Sequence, residues 1–361
     1  MEKLLPHEIK AIEFINMSSK KKETFDKEQI QKLLKQNLLE DIQIEKLINN
    51  IFQYSFVTIN FHPDRISNRG TLIIEEILKE GMYYSQFKTG TTSGSKTAYT
   101  GGERDLWERE LFGGHYHCKE TNHDRRVKYG SLNIMNYKDG ASPRFGSCYF
   151  KLNRNILDRC TFTFGDSYLK PKSTGTKDSF YSIMRTMLDE IIQRKRFFNS
   201  NGYNLIKAIK YLSEMNENNL STQYGSIGKA LDDYIEVQIH GDINLKNDIE
   251  CFVLDESFKG TEILQYILKI SKEFDINVEW ISARKVFVND IPDEFRGPII
   301  KPFAKKILEE LQTSFNYIDA NTIGRASRLI ERNPSKWSEF GDTNKTFQYL
   351  KQLWHVLVQY G

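Results

Sequence analysis

Between residues 234 and 243 the chain reads YIEVQIHGDI, with Ile235, Val237 and Ile239 alternating against Glu236, Gln238 and His240. A period of two predicts a β-strand, here with a carboxylate, an amide and an imidazole on one face. Two readings of that face stay open: it looks to solvent from an edge strand, or it floors an active site. FVTINF (56–61) alternates in the same way and is rich in β-branched and aromatic residues, so it predicts another strand. GSCYFKLN (146–153) and CTFTFG (160–165) predict two more, after turn signals such as KDGASP (138–143).

Helical spacing takes over elsewhere. In TLIIEEILKEG (71–81), Ile73, Ile74, Ile77 and Leu78 share one face and Gly81 suits the residue just past a helix end. Ile183, Met184, Met187, Leu188, Ile191 and Ile192 form a second stripe, and Leu205, Ile209 and Leu212 a third. Further helices are expected at 261–273 and 302–312 and through the last sixty residues, broken at Asn333–Pro334. Near the start, Asp26 with Gln29 has the spacing of a capping box ahead of Ile30, Leu33, Leu34 and Leu38, which makes Lys20–Lys22 a solvated linker.

These elements predict an α+β fold: short antiparallel or mixed strands between 55 and 290, with helices before, within and after them. The expected organisation is a helical segment at 1–54, a catalytic domain at 55–300 and a helical segment at 301–361 packed on it. No G-x-G-x-x-G follows a strand and no G-x-x-x-x-G-K-[ST] occurs, which argues against a doubly wound nucleotide fold.

Composition adds limits more than content. A chain of 361 residues, 39% hydrophobic, has material for a large core, and a net charge of +3 announces neither a nucleic acid nor a membrane. MEKLLPHEIKAIEF carries acidic residues and no long apolar run, so no signal peptide or membrane span is expected and the location is read as cytoplasmic. Cys118, Cys148, Cys160 and Cys251 have no C-x-x-C spacing and are read as buried thiols.

Several polar groupings compete for the chemistry. FHPDR (61–65) crowds His62, Asp64 and Arg65 at a strand end, as a binding loop or a surface turn. RFGS (144–147) offers Arg144 beside an aromatic, for an anionic or planar ligand or as a plain turn. Asp166 and Ser167 end a strand, where they meet ribose hydroxyls or cap the turn. The loop TGTTSGSKTAYTGG (89–102) wraps a phosphate through its amides or is only flexible. His115, His117, Cys118 and His123 invite a zinc reading, but their spacing matches no closed site, and no metal is expected.

Taken in order, FHPDR, YYSQFKTG (83–90), YGSLN (129–133), RFGSCYF (144–150), RCTFTFGDS (159–167) and YIEVQIHGDI resemble a bacterial and phage-associated domain family of unknown function, over roughly residues 55–300. Their layout is in turn similar to that of ADP-ribosyltransferases, which implies a split-sheet fold and NAD as substrate. In that likeness His62 or Arg65 holds the dinucleotide, Tyr84, Ser85, Phe87 and Thr89 shape the nicotinamide pocket, Arg144, Asp166 and His240 add cofactor contacts, and Glu236, with Gln238 and His62, is catalytic. The acceptor would be an unidentified protein or nucleic acid, and the enzyme is also a candidate effector delivered to another cell. Arginine-modifying members carry Glu or Gln two residues before the catalytic Glu, where this chain has Tyr234, which points away from arginine. EVQIH also resembles the nucleotide strand of guanosine-tetraphosphate synthetases, which implies a magnesium-dependent alternative. A non-catalytic binding module is the third reading.

Overall fold

A computed structural model describes residues 3–90, 97–118, 122–216 and 226–361. Eight strands build one sheet: β1 (Phe56–Phe61), β2 (Lys128–Asn133), β3 (Cys148–Leu152), β4 (Cys160–Phe164), β5 (Thr174–Thr176), β6 (Ile235–Ile239), β7 (Ile249–Asp255) and β8 (Asn277–Ile281). Their spatial order is β8-β7-β3-β1-β2-β6-β4-β5. Every pairing is antiparallel except β7 with β8, so the sheet is mixed and the fold α+β. The strand of the opening question lies between β2 and β4 and is buried along its whole length, so its polar face does not look to solvent.

Among the described residues the helices of eight residues or more are α1 (Pro6–Gln36), α2 (Ile44–Tyr54), α3 (Ile73–Glu80), α4 (Glu103–Leu111), α5 (Tyr181–Arg194), α6 (Leu205–Ser213), α7 (Glu262–Phe274), α8 (Ile300–Glu310), α9 (Ala320–Arg332) and α10 (Thr343–Tyr360). α3 ends where its sequence says, with Gly81 at φ 63°. One hydrophobic cluster runs from Ile30 and Leu34 of α1, through Val57, Phe150, Phe162 and Val237 of the sheet, to Leu357 and Val358 of α10. Among the described residues no helix is long and apolar enough to cross a membrane.

The N-terminal reading needs correction. α1 is continuous from Pro6, and Glu8 Oε2 accepts the Leu5 N–H (2.7 Å), so Lys20–Lys22 lie inside a helix. Asp26 is buried mid-helix and pairs with Arg185 Nε of α5 at 2.7 Å. A capping pattern is local, whereas this carboxylate is held by a partner that the neighbouring helix supplies.

The feature that positions the site is a parting of strands. β1 and β2 share only three residue pairs, Phe56–Asn133, Val57–Leu132 and Thr58–Ser131. Beyond them Ile59–Phe61 pair with β3 alone, and Lys128–Gly130 pair with β6 alone. A wedge therefore opens in the middle of the sheet. Gly130 stands at its apex, where a Cβ would meet the Thr58 carbonyl at 2.8 Å. Gly146 lies against the end of β1, and a Cβ there would sit 2.0 Å from the Phe61 carbonyl carbon. Only glycine lets the RFGS turn press so closely on the residue before His62.

Gly146→Ala should therefore cost about 2–4 kcal/mol in denaturant unfolding, because backbone meets backbone and neither can swing aside. A loss below about 0.5 kcal/mol would show that the turn has room to move.

Candidate functional site

The wedge is the site of a cavity enclosing about 1160 Å³ of space between atoms, part of it open to solvent. Its lining joins the end of β1 (Asn60, Phe61, His62), the start of β2 (Lys128, Tyr129, Gly130) and Glu236 of β6. The segment after α3 supplies Tyr83, Tyr84, Ser85 and Thr89, while Arg65, Arg104, Phe145 and Asp166 complete the wall. Residues far apart in sequence thus face one space because β1 and β6 flank the same separated strand.

Glu236 is 5% exposed, and its Oε1 accepts hydrogen bonds from the Ser167 N–H (3.3 Å) and Gln238 Nε2 (3.0 Å). Burial, then the negative charge of Asp166, pushes its carboxyl up to about 7, while its hydrogen bonds and Arg104 act the other way. A group poised near neutral pH can hold or release a proton at working pH.

Behind it runs a closed set of hydrogen bonds. The Gln238 amide also donates to Thr163 Oγ1 (3.0 Å), and its oxygen accepts from Thr161 Oγ1 (2.9 Å). Thr161 Oγ1 lies 3.1 Å from His240 Nε2, and His240 Nδ1 lies 2.8 Å from the Tyr116 hydroxyl. Burial pushes His240 down to about 3, helped by Arg159 and Lys128, so the ring is neutral. Gln238 and His240 therefore do not line the cavity; they fix the rotamer of Glu236.

Opposite the carboxyl, His62 is buried edge-on to Trp354 of α10 (4.9 Å), with Ser147 Oγ 3.3 Å from Nδ1. Burial, and then Arg65 and His355, hold it well below its usual value, which makes it neutral as well. Arg65 has a buried Nη1 with no hydrogen-bond partner among the described residues, and the charges of Asp64 and Glu331 act on it. Arg104 rests on Trp107 (4.8 Å) and Tyr129 (4.7 Å), its Nε likewise without a partner. Unpaired guanidinium groups in a partly closed space suit an anionic ligand.

The aromatic wall differs from expectation. Phe87 is spent under the Arg126 guanidinium (4.1 Å), which pairs with Asp105 and Glu108 at 2.5 and 2.9 Å. Tyr83 faces the cavity, packed on Phe61 (5.5 Å), and Tyr84 carries Lys88 Nζ 3.2 Å from its ring centre. Arg144 is turned to Asp232 (2.6 Å), and its neighbour Phe145 lines the cavity instead. Tyr83, Tyr129 and Phe145 stand in segments that the sequence marked without giving them a role, whereas nothing but basic character marks Arg104.

The described members of the zinc grouping do not converge. His117 Nε2 pairs with Asp105 at 2.9 Å and His115 sits edge-on to Phe14 at 6.1 Å, while the His123 side chain lies outside the described residues. Among the described residues no three His, Cys, Asp or Glu side chains converge on a common point. Residues 91–96 of the Gly/Ser/Thr loop also lie outside them.

The chain belongs to the family described as protein of unknown function DUF3626, whose model matches residues 56–360. That span takes in the wedge, its cavity and the C-terminal helices. No curated protein matches the chain.

A raised carboxyl makes a stability prediction. The folded state keeps the Glu236 proton up to about 7, against 4.5 for an ordinary glutamate. Its contribution to stability is thus full below about 4.5, falls as pH rises between the two values, and stays low above 7. Glu236→Gln, which mimics the protonated form, should gain about 1–3 kcal/mol on the wild type between pH 5 and pH 8. Thermal unfolding of both proteins at the two pH values tests this, and a gap that does not change with pH would contradict it.

Proposed function

We propose that the protein cleaves the nicotinamide–ribose bond of NAD and passes the ADP-ribosyl group to an acceptor or to water. One observation carries the reading: the parted strands set Glu236 across a single cavity from His62, Arg65 and the Tyr83–Thr89 segment. The parting is also what the likeness to the ADP-ribosyltransferase split sheet requires.

In this reading the unpaired Arg65 and Arg104 take the pyrophosphate, and Tyr83 and Phe145 sandwich the nicotinamide ring. The inner edges of β1 and β2 have lost each other as partners and pair with no other strand among the described residues, which offers their amide and carbonyl groups to the carboxamide. The ionised Glu236 accepts a hydrogen bond from a ribose hydroxyl and faces the positive charge that grows on the ribose as the bond to nicotinamide breaks. The bonding electron pair leaves with nicotinamide, which departs neutral. That charge is largest in the transition state, so Glu236 lowers the barrier more than it aids binding. The acceptor hydroxyl, or water, then bonds to the ribose carbon and loses its proton to Asp166, another carboxyl lining the cavity.

Tyr234, which stands where arginine-modifying enzymes place Glu or Gln, is buried edge-on to Phe145 (5.7 Å) and absent from the lining. A magnesium-dependent nucleotide enzyme would ask both Glu236 and Gln238 to face its ligand, yet the Gln238 amide is fully engaged by Thr161, Thr163 and Glu236. The same engagement weighs against a plain binding surface, since a buried, oriented and near-neutral carboxyl is costly to keep without a use.

Pure protein incubated with NAD should release nicotinamide, with kcat/KM rising through about pH 7 as Glu236 ionises. Glu236→Gln should lower the rate by roughly 100-fold or more at pH 8. Release within twofold of the wild type in that variant would remove Glu236 from the chemistry.

A further inference from the structure

A second cluster borders the cavity and takes no part in the chemistry above. The Trp354 indole N–H donates to the Pro143 carbonyl (2.8 Å), which docks α10 on the turn that carries Arg144. Lys351 and His355 stand one helical turn apart on α10, and Arg144 and Arg296 act on both of them. His355 is 3% exposed, and neither ring nitrogen has a hydrogen-bond partner among the described residues. The Nε atoms of Arg144 and Arg296 are buried in the same condition.

The charge balance is lopsided. Burial and the three cations push His355 down to about 2, and Lys351 is lowered by burial, Arg144 and Arg296. Two carboxylates act on Lys351: Asp166 at the cavity wall, and Asp232, which pairs with Arg144 from a 68% exposed position. Cations gathered around unpartnered buried donors are stabilised by a bound anion.

We propose that Arg144, Arg296, Lys351 and His355 bind a phosphate group of the acceptor. The donors number more than a carboxylate with two oxygens can satisfy, and the Arg296 fork, the Arg144 N–H groups that Asp232 does not hold and an ammonium match the several oxygens of a phosphate. The place fits the role: Arg144 lies 5.1 Å from the ring centre of Phe145, which lines the cavity, as does Asp166. A phosphate held here sets a neighbouring hydroxyl toward the ribose carbon. The assignment to the acceptor rests on the NAD-cleaving reading, whereas binding of the phosphate does not.

The test uses the full chain without NAD, at constant ionic strength. Inorganic phosphate should raise the Tm of the wild type by about 2 °C or more at saturation, since it binds the folded state. The Arg296→Gln/Lys351→Gln protein should bind it at least tenfold more weakly, with Lys351→Gln alone as a milder variant if the pair folds poorly. Competition separates the sources: 5′-AMP displaces phosphate if the acceptor is a monoester, and a single-stranded oligonucleotide without terminal phosphates does so if it is a diester. No shift with inorganic phosphate, or equal affinity in wild type and variants, overturns the proposal. Nicotinamide release is not part of the readout, so failure of the cleavage reading leaves this answer legible.

Discussion

Everything at the site follows from the separation of β1 from β2 after Thr58 and Ser131. Had the ladder continued, Asn60 would face a strand instead of a cavity, and Glu236 would be sealed in a closed sheet. Two outer partners keep the strands apart: β3 holds β1 from one side and β6 holds β2 from the other. Gly130 at the apex lets the two backbones stay close up to the point of divergence, and Gly146 lets the RFGS turn support the free end of β1. Unpaired backbone groups inside a sheet are costly, so a fold that keeps them has a ligand or water to satisfy them.

The polar face of β6 is the second element, and its three side chains do different work. Glu236 meets the cavity, while Gln238 and His240 transmit order to it through Thr161, Thr163 and Tyr116. His62 and His240 are held neutral by burial and nearby cations, so the groups drawn toward neutrality here are Glu236, raised to about 7, Asp64, raised to about 6, and Lys128, lowered to about 8. The same burial that raises the proton affinity of Glu236 makes the folded protein less stable once the carboxyl ionises.

Much of this was legible in the sequence wherever the signal is local. The FVTINF and YIEVQIH strands and the helix closing at Gly81 came from alternation and end signals, and the placing of His62, Arg65, Tyr84, Ser85, Thr89, Asp166 and Glu236 on one cavity came from the family likeness. The rest was set by pairing between distant segments. Alternation gives Gln238 and His240 the same face as Glu236, but not that Thr161 and Tyr116 would consume them. Phe87 looked like a stacking wall because nothing nearby shows that Arg126 covers it, and Asp26 looked like a helix cap because Arg185 is supplied by another helix. Arg104 carried no motif, and only the approach of α4 to Tyr129 brings it into the cavity.

The central claim is that Glu236 is a near-neutral carboxyl directed at the ribose of a bound dinucleotide. Infrared difference titration of its carboxyl band, wild type minus Glu236→Gln, measures this directly. The account predicts a midpoint near pH 7 in the free protein, moving lower with a non-cleavable NAD analogue bound, because a ribose hydroxyl and the nicotinamide cation both favour the ionised form. A midpoint near that of an ordinary glutamate, unmoved by the analogue, would contradict it.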